Sequence, residues 1–403
     1  MTSPPAESRD ATPPSEVCPR CAATVPAGRF CGECGAELDQ PADQRRSPLR
    51  LRVFALAPRE RVLMPLVTST LFPHLPEPYR NPFRVGMVVL FAGLAGCSVL
   101  RLLPSWVTLV ALGVPLLFVL YLWQSNLLRD LPNHALIIAS ALGAVLGVGW
   151  VLGTGGLVAR SYGTSMAVGF VLQNVINVGL FISVGGAIVM VVPAVAVRLL
   201  RPPRESLDGF VIGALGALSF TGAATATRLA PQLVSGLLDS VRPDRLLVEA
   251  VLHGVTVPLT AAAVGGLIGI LLWFRPGARA GEHPLRVRVV LSLFVVLALL
   301  IYAAVWLTDA SRLTIWPQLL LHVLMTVIAL LTARVCMQLA LLYEQPDPAT
   351  RQPVLCVRCE RVVPDMPFCP SCGAATRASS RSSRRRRRQS PPVRYGSVNS
   401  ADV

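Results

Sequence analysis

From Val85 to Tyr343 the sequence passes through a series of apolar stretches, separated by short segments that carry Arg, Pro and Gly. A helix needs about 20 apolar residues to cross the hydrocarbon core of a bilayer. In lipid every backbone polar group must be satisfied internally, so helices are the natural answer to such a pattern. The stretches lie near residues 85–103, 105–123, 135–158, 166–200, 209–227, 246–273, 288–307 and 315–343. They predict an all-α polytopic membrane protein with about eight transmembrane helices. Composition agrees: 53% of residues are hydrophobic and only 15% charged, whereas soluble chains are about 25% charged. The opening MTSPPAESRDATPPSE lacks the basic start and apolar run of a signal peptide. Insertion is therefore expected to rest on the internal stretches.

The second constraint is a repeat that flanks this block. CPRCAATVPAGRFCGECG contains Cys18, Cys21, Cys31 and Cys34, and CVRCERVVPDMPFCPSCG contains Cys356, Cys359, Cys369 and Cys372. Both have two CxxC knuckles nine residues apart, and Pro26, Phe30 and Gly35 recur as Pro364, Phe368 and Gly373. Each knuckle presents two thiolates, and two knuckles complete a tetrahedral site suited to zinc. The pattern implies two structural zinc ions in a reducing compartment rather than a disulfide framework. Gly35 follows the last cysteine, where a tight turn calls for positive φ. The modules resemble the small zinc ribbons found at the ends of bacterial membrane proteins. Cys97 and Cys336 stand apart, inside apolar stretches.

These features divide the chain into a disordered N-tail (1–16), a ribbon (17–38), a linker and juxtamembrane segment (39–84), the membrane domain (85–343), a second ribbon (354–375) and a disordered Arg-rich tail (376–403). Leu49–Leu75 mixes Arg with apolar residues and several prolines. Repeated Pro disfavours a long helix, so the segment reads as an irregular loop rather than a helix lying on the surface. The fourth stretch would be about 52 Å long as one helix, and Gly185–Gly186 or Pro193 is where it would break or kink. Gly143/Gly147, Gly149/Gly153 and Gly209/Gly213 have the spacing that lets helices pack closely in lipid.

With eight spans, one side of the membrane receives both tails, Arg129, Arg198, Arg201, Arg204, Arg275, Arg279, Arg286 and Arg288. The other side receives Arg101, Arg160, Arg228, Arg242, Arg245 and Arg312. The first is the more basic and therefore cytoplasmic by the positive-inside rule. Both termini and all eight ribbon cysteines then lie in the cytoplasm. All 37 basic residues are Arg, which points to a GC-rich, actinobacterial source and excludes lysine chemistry such as Schiff-base formation. The expected location is the bacterial cytoplasmic membrane. The run SRSSRRRRRQSPPVRYG suits anionic lipid headgroups, each Arg contributing about 1 kcal/mol near the surface. No aromatic residues alternate with the arginines to stack on bases, which argues against nucleic acid.

Residues from about 166 to 330 resemble the PrsW-type membrane proteases, relatives of the CAAX-processing enzymes. LDGFVIGALGALSFTGAA supplies Asp208, Gly209 and Phe220 of the family's Asp-Gly…F-x-x-x-E-N stretch, with Ala224 in place of Glu. HGVT supplies His253 and Thr256 of H-x-x-T; HVLMT supplies His322 of H-x-x-x-D, with Thr326 in place of Asp. The slot for the family's paired Glu falls near Gly185–Gly186, in a stretch (131–204) without Asp or Glu. The resemblance marks Glu249, His253, His322 and Phe220 as a candidate membrane pocket; each histidine is seven residues into its span, about 10 Å below the outer boundary, with Phe220 at a comparable depth. Glu249 is the acid nearest to His253 in sequence, and an ion pair with Arg245 one turn away is its simplest role. Asp208 starts a helix and complements its dipole.

Loss of the base removes general-base catalysis, so no catalytic residue is assigned and a non-catalytic descendant of the family is expected. The leading reading is a scaffold or sensor whose ribbons bind a protein partner. The alternatives are an intramembrane protease using Glu249, His253 and His322, and a transporter, suggested by a break at Gly185–Gly186.

Overall fold

A computed structural model of the chain describes residues 14–39, 53–54, 56–75, 80–163, 171–200, 205–276, 284–310, 313–344, 354–376, 379 and 381–389. The N-tail through residue 13, linker residues 40–52, residues 166–170 of the fourth stretch and the tail beyond 389 lie outside them. Among the described residues, eight helices are long and apolar enough to cross a membrane. This makes the chain a multi-pass helical membrane protein with a four-cysteine group near each end.

The membrane helices are α2 (Asn81–Val99), α3 (Leu103–Gln124), α5 (Asn133–Gly163), α6 (Val171–Leu200), α7 (Ser206–Val234), the pair α8 (Pro243–Val251) and α9 (Val257–Trp273) joined by a π turn, α10 (Pro284–Ala310) and α11 (Ile315–Tyr343). The first begins and ends about one turn earlier than the apolar run suggests. The chain reverses at Leu100–Leu102, where Arg101 takes a φ of +54°, and Pro104 then sits in the first turn of α3. Proline fits there because the first helical N–H groups have no intrahelical partner.

Two helices form the centre. The most apolar window of α7 is 83% buried and that of α8–α9 is 89% buried, against 28–44% for the others. Glycine explains their closeness. A Cβ on Gly213 would collide with the Gly265 carbonyl oxygen, and one on Gly269 would collide with that of Gly209. On the other flank of α7, Gly143 and Gly147 of α5 meet the carbonyl oxygens of Gly216 and Phe220 in the same way. Small residues thus set the helix spacing, as lipid requires when no hydrophobic force separates helix from tail. Gly149 and Gly153 do not take part: nothing lies within 4 Å of the space a Cβ would fill. At about 100° per residue they fall on the side of α5 turned away from Gly147 and α7.

The fourth stretch does not break. Helix α6 runs unbroken through Gly185–Gly186 and Pro193. Trp150 of α5 covers both glycines, and Pro193 packs against Gly216. The motive for a transporter reading disappears with the break.

Leu49–Leu75 is more ordered than an irregular loop. It forms a hairpin, β3 (Val53–Phe54) with β4 (Ala57–Arg61), and a short helix α1 (Val67–Leu71). Phe54, Val62, Leu71, Phe72 and Leu75 are buried in the main core. Arg334 of α11 is fully buried and holds this wedge. It donates to Glu60 (2.8 Å), the Ser69 hydroxyl (2.5 Å) and the Arg61 carbonyl (3.2 Å), and its guanidinium lies 3.9 Å from the centre of the Phe54 ring. Arg80, also buried, donates to the carbonyls of Leu56 and Leu75. The prolines prevented a long helix; the buried arginines supplied partners for the exposed backbone and acid instead.

The chain enters α2 and leaves α11 at the same end of the bundle, called here the terminal face. The short helix α4 (Leu127–Asp130) and the start of α7 lie there too. Glu344, just past α11, accepts from the N–H (2.7 Å) and hydroxyl (2.8 Å) of Ser206 and so caps α7. Asp208 is buried in the first turn of α7, as expected for a helix start. Within the Arg-rich tail, expected to lack structure, Arg381–Gln389 forms a helix, α12. Its N–H groups find a carboxylate: that of Ser382 donates to both oxygens of Asp130 (2.8 and 3.0 Å). A negative charge at a helix N-terminus offsets the dipole.

Candidate metal centres

The two cysteine modules are built alike. The first pairs β1 (Ser15–Val17) with β2 (Thr24–Pro26), and the second pairs β5 (Val354–Leu355) with β6 (Val362–Val363). In each, the first knuckle closes by a hydrogen bond from the leading Cys N–H: Cys18 to Ala23 and Cys356 to Arg361, both 2.9 Å. The residue after that knuckle is left-handed, with φ +56° at Ala22 and +55° at Glu360. Gly35 and Gly373, after the second knuckle, both have φ +69°. The expected positive-φ turn at Gly35 is therefore present, and it is repeated in the other copy.

The knuckles bring the sulfurs together. Cys18–Cys34 and Cys21–Cys31 have Sγ separations of 3.8 and 3.7 Å; Cys356–Cys372 and Cys359–Cys369 are at 3.6 and 3.8 Å. In each set all four ligand atoms lie within 4.8 Å of one another, a group able to hold a metal ion. The paired sulfurs lie within hydrogen-bonding reach of each other. The hydrogen bond from Cys34 draws Cys31 down to about 5, while burial pushes Cys21 up to about 11. A divalent ion that accepts four sulfurs removes this conflict by taking the place of the thiol protons.

The modules also face each other, a relationship that their separation in sequence concealed. The Phe30 N–H donates to the Pro370 carbonyl (2.8 Å), and the Phe368 N–H donates to the Gly32 carbonyl (2.9 Å). The Phe30 ring covers Gly373 and the Phe368 ring covers Gly35. The exchange is reciprocal, like the contacts about a two-fold axis. Each glycine thus has two reasons to lack a side chain: its φ and the ring above it.

The second group of interest lies toward the bundle end opposite the terminal face. His322 is fully buried near the start of α11; its Nε2 is 2.8 Å from the Thr308 hydroxyl and 3.1 Å from Asp309 at the end of α10. Gln318 also donates to Asp309 (3.0 Å). His253 occupies the π turn Leu252–Thr256, and Asp309 and Arg228 are its electrostatic neighbours. Asp309 thus relates the two histidines, which were expected at one level. It is the single acid between residues 284 and 343, and its place at the end of an apolar run before a polar turn was the available signal.

Thr326, where the family motif has Asp, exchanges a hydrogen bond with Thr260 of α9 (2.9 Å) and donates to the Thr256 carbonyl (3.3 Å). The position is spent on joining α11 to the π turn. Glu249 is half-buried, with Arg228 and Arg245 attracting it at longer range. The expected Arg245–Glu249 ion pair does not form among the described residues; Arg245 is exposed and Glu249 half-buried. Phe220 and Ala224 are buried, with the Phe220 carbonyl and Ala224 N–H lying against Gly147 of α5. That stretch of α7 serves helix packing. No family model matches this chain, and no curated protein or solved structure matches it either.

Proposed function

We propose that the protein is a non-catalytic scaffold or sensor of the bacterial cytoplasmic membrane. Both termini are cytoplasmic, and each cysteine module holds one structural zinc ion. The observation that carries this reading is the reciprocal pairing of two equivalent four-cysteine modules. Their sulfur separations of 3.6–3.8 Å suit a tetrahedron with metal–sulfur bonds of about 2.3 Å. Cys18, Cys21, Cys31 and Cys34 would hold one ion, and Cys356, Cys359, Cys369 and Cys372 the other. Thiolate ligands favour zinc over harder cations. The ion supplies folding energy rather than reactivity, because four protein ligands leave no open coordination position.

The common face of the ribbons supports a cytoplasmic location for both, where thiols remain reduced. Ribbon surfaces outside the shared face that carries Phe30 and Phe368 are the proposed site for a protein partner. The exposed Arg385 and Arg386 of α12 suit anionic lipid headgroups. In the membrane block the likeness to PrsW-type proteases is read as descent without catalysis. Ala224 and Thr326 stand where the family has acids, and hydrogen bonds and packing now occupy both positions. The protease alternative keeps one observation in its favour: Asp309 beside His322 provides an acid that the motifs lack.

Metal analysis of the detergent-purified protein tests the reading. About two zinc per chain, falling sharply in a Cys18→Ser, Cys356→Ser variant, is the expected result. A third metal that survives this variant and disappears with His253→Ala would favour the protease instead.

A further inference from the structure

A continuous set of contacts links the metal sites to the Arg-rich tail. The first ribbon holds the second through Phe30–Pro370 and Gly32–Phe368. The second ribbon continues directly into the tail. The Thr376 N–H donates to the Pro367 carbonyl (3.0 Å), the Ser379 hydroxyl donates to the Thr376 carbonyl (2.8 Å), and Arg387 donates to Ser379. Arg387 also donates to the carbonyl of Leu355, the residue before Cys356 (2.8 Å). The far side of α12 reaches the bundle: Asp130 caps its N-terminus, and Arg384 pairs with Glu205 at 2.5 Å.

Two physical facts make this linkage conditional. Helix α12, RSSRRRRRQ, is too short to persist alone, since isolated helices below about 12–15 residues are marginal. Like charges one turn apart oppose it further. It is a helix because its seat supplies carboxylates and carbonyls. The ribbon part of that seat has only a small core of its own: Cys356, Val363 and Cys369 are its buried cluster, two of them candidate metal ligands, while Phe368 and Ala375 join the main core. The knuckle half of such a module, β5 included, depends on its ion for most of its folding energy.

We infer that metal occupancy of the paired ribbons gates the Arg-rich tail. Loaded ribbons seat α12 between Leu355 and the acids Asp130 and Glu205. Empty ribbons lose β5 and the Leu355 carbonyl, and the arginine run is released as an unfolded polycation. The inference rests on the zinc reading above and adds a function to it: a metal-responsive switch that exposes a surface-binding tail. None of these contacts to α12 comes from the first ribbon, so its influence travels through the second.

Limited trypsin digestion reads the switch, because the tail is a run of cleavage sites. The full-length, detergent-purified protein is digested with zinc bound and after chelation, with zinc content measured on the same samples. Cleavage within 381–388 is compared with cleavage at the exposed Arg245, at the other end of the bundle. Chelation should raise tail cleavage about tenfold, following the open population, and leave Arg245 unchanged. Arg384→Gln should raise it with zinc still bound. Cys18→Ser, which empties the first ribbon, should raise it as well. Equal tail cleavage with and without bound zinc would overturn the switch and leave the zinc reading intact. A protected tail in Cys18→Ser would overturn the coupling between ribbons. A wild-type chain that holds no zinc would overturn the metal reading, and the switch with it.

Discussion

Phe30 lies over Gly373 so closely that a Cβ on the glycine would stand 2.7 Å from the ring edge. Gly373 also has a φ of +69°, where an L side chain costs about 1–2 kcal/mol. Gly373→Ala should therefore weaken the first ribbon as well as the second. Chelator competition should show faster metal loss from both sites, and Gly35→Ala should act the same way against Phe368.

Arg334 holds the juxtamembrane wedge from inside the bundle. Arg334→Ala leaves Glu60 without its close partner, and breaking a buried pair on one side costs about 3–5 kcal/mol. Arg334→Lys should recover little of this, because an ammonium cannot reproduce the planar fork or the stacking on Phe54. Thermal unfolding of the purified protein, followed by exposure of a native cysteine such as the buried Cys336, checks both variants.

The glycines of the membrane block should divide into two groups. Gly213→Ala pushes a methyl into the Gly265 carbonyl and should destabilise the α7–α9 pair by at least about 1–3 kcal/mol, the usual cost of overpacking. Gly149→Ala meets open space and should be neutral or slightly stabilising. Unfolding midpoints of the two variants, measured in the same detergent, decide the matter.

Asp309 joins α10 to α11 through His322 and Gln318. Asp309→Ala should cost about 1–3 kcal/mol by removing the carboxylate beside the buried His322 and the half-buried Gln318. Asp309→Asn, which retains an acceptor oxygen, should cost less. Wild type and both variants should show no peptide hydrolysis in reconstituted membranes; activity that vanished with Asp309→Asn would restore the protease reading.

Much of the architecture was legible. Apolar length gave the eight spans because lipid allows few other solutions, and the CxxC repeat gave both metal groups because thiolate geometry depends on local spacing. Gly143, Gly147, Gly209 and Gly213 were legible as packing residues, but Gly149 and Gly153 have the same spacing and no partner. Spacing reports what a helix face permits, and only the tertiary arrangement decides whether another helix uses it. The arginines Arg334, Arg384 and Arg387 were the least legible. Each depends on acids or carbonyls far away in sequence, and no local pattern signals such a partner. Asp309 was hidden for a related reason: the motif positions hold no acid, and the fold drew one from the neighbouring hairpin of helices.

The meeting of the ribbons has a consequence for how the protein is made. The first module is synthesised before the eight membrane helices, and the second after them. At about 5–20 residues per second, the first module waits roughly twenty seconds to a minute for its counterpart. During that interval its Phe30 face is uncovered, and only a chain translated through the second module can cover it. Closure of the ribbon pair therefore marks that all eight membrane helices have been made: a product cut short before the second module would carry an orphaned, exposed face for quality control to read.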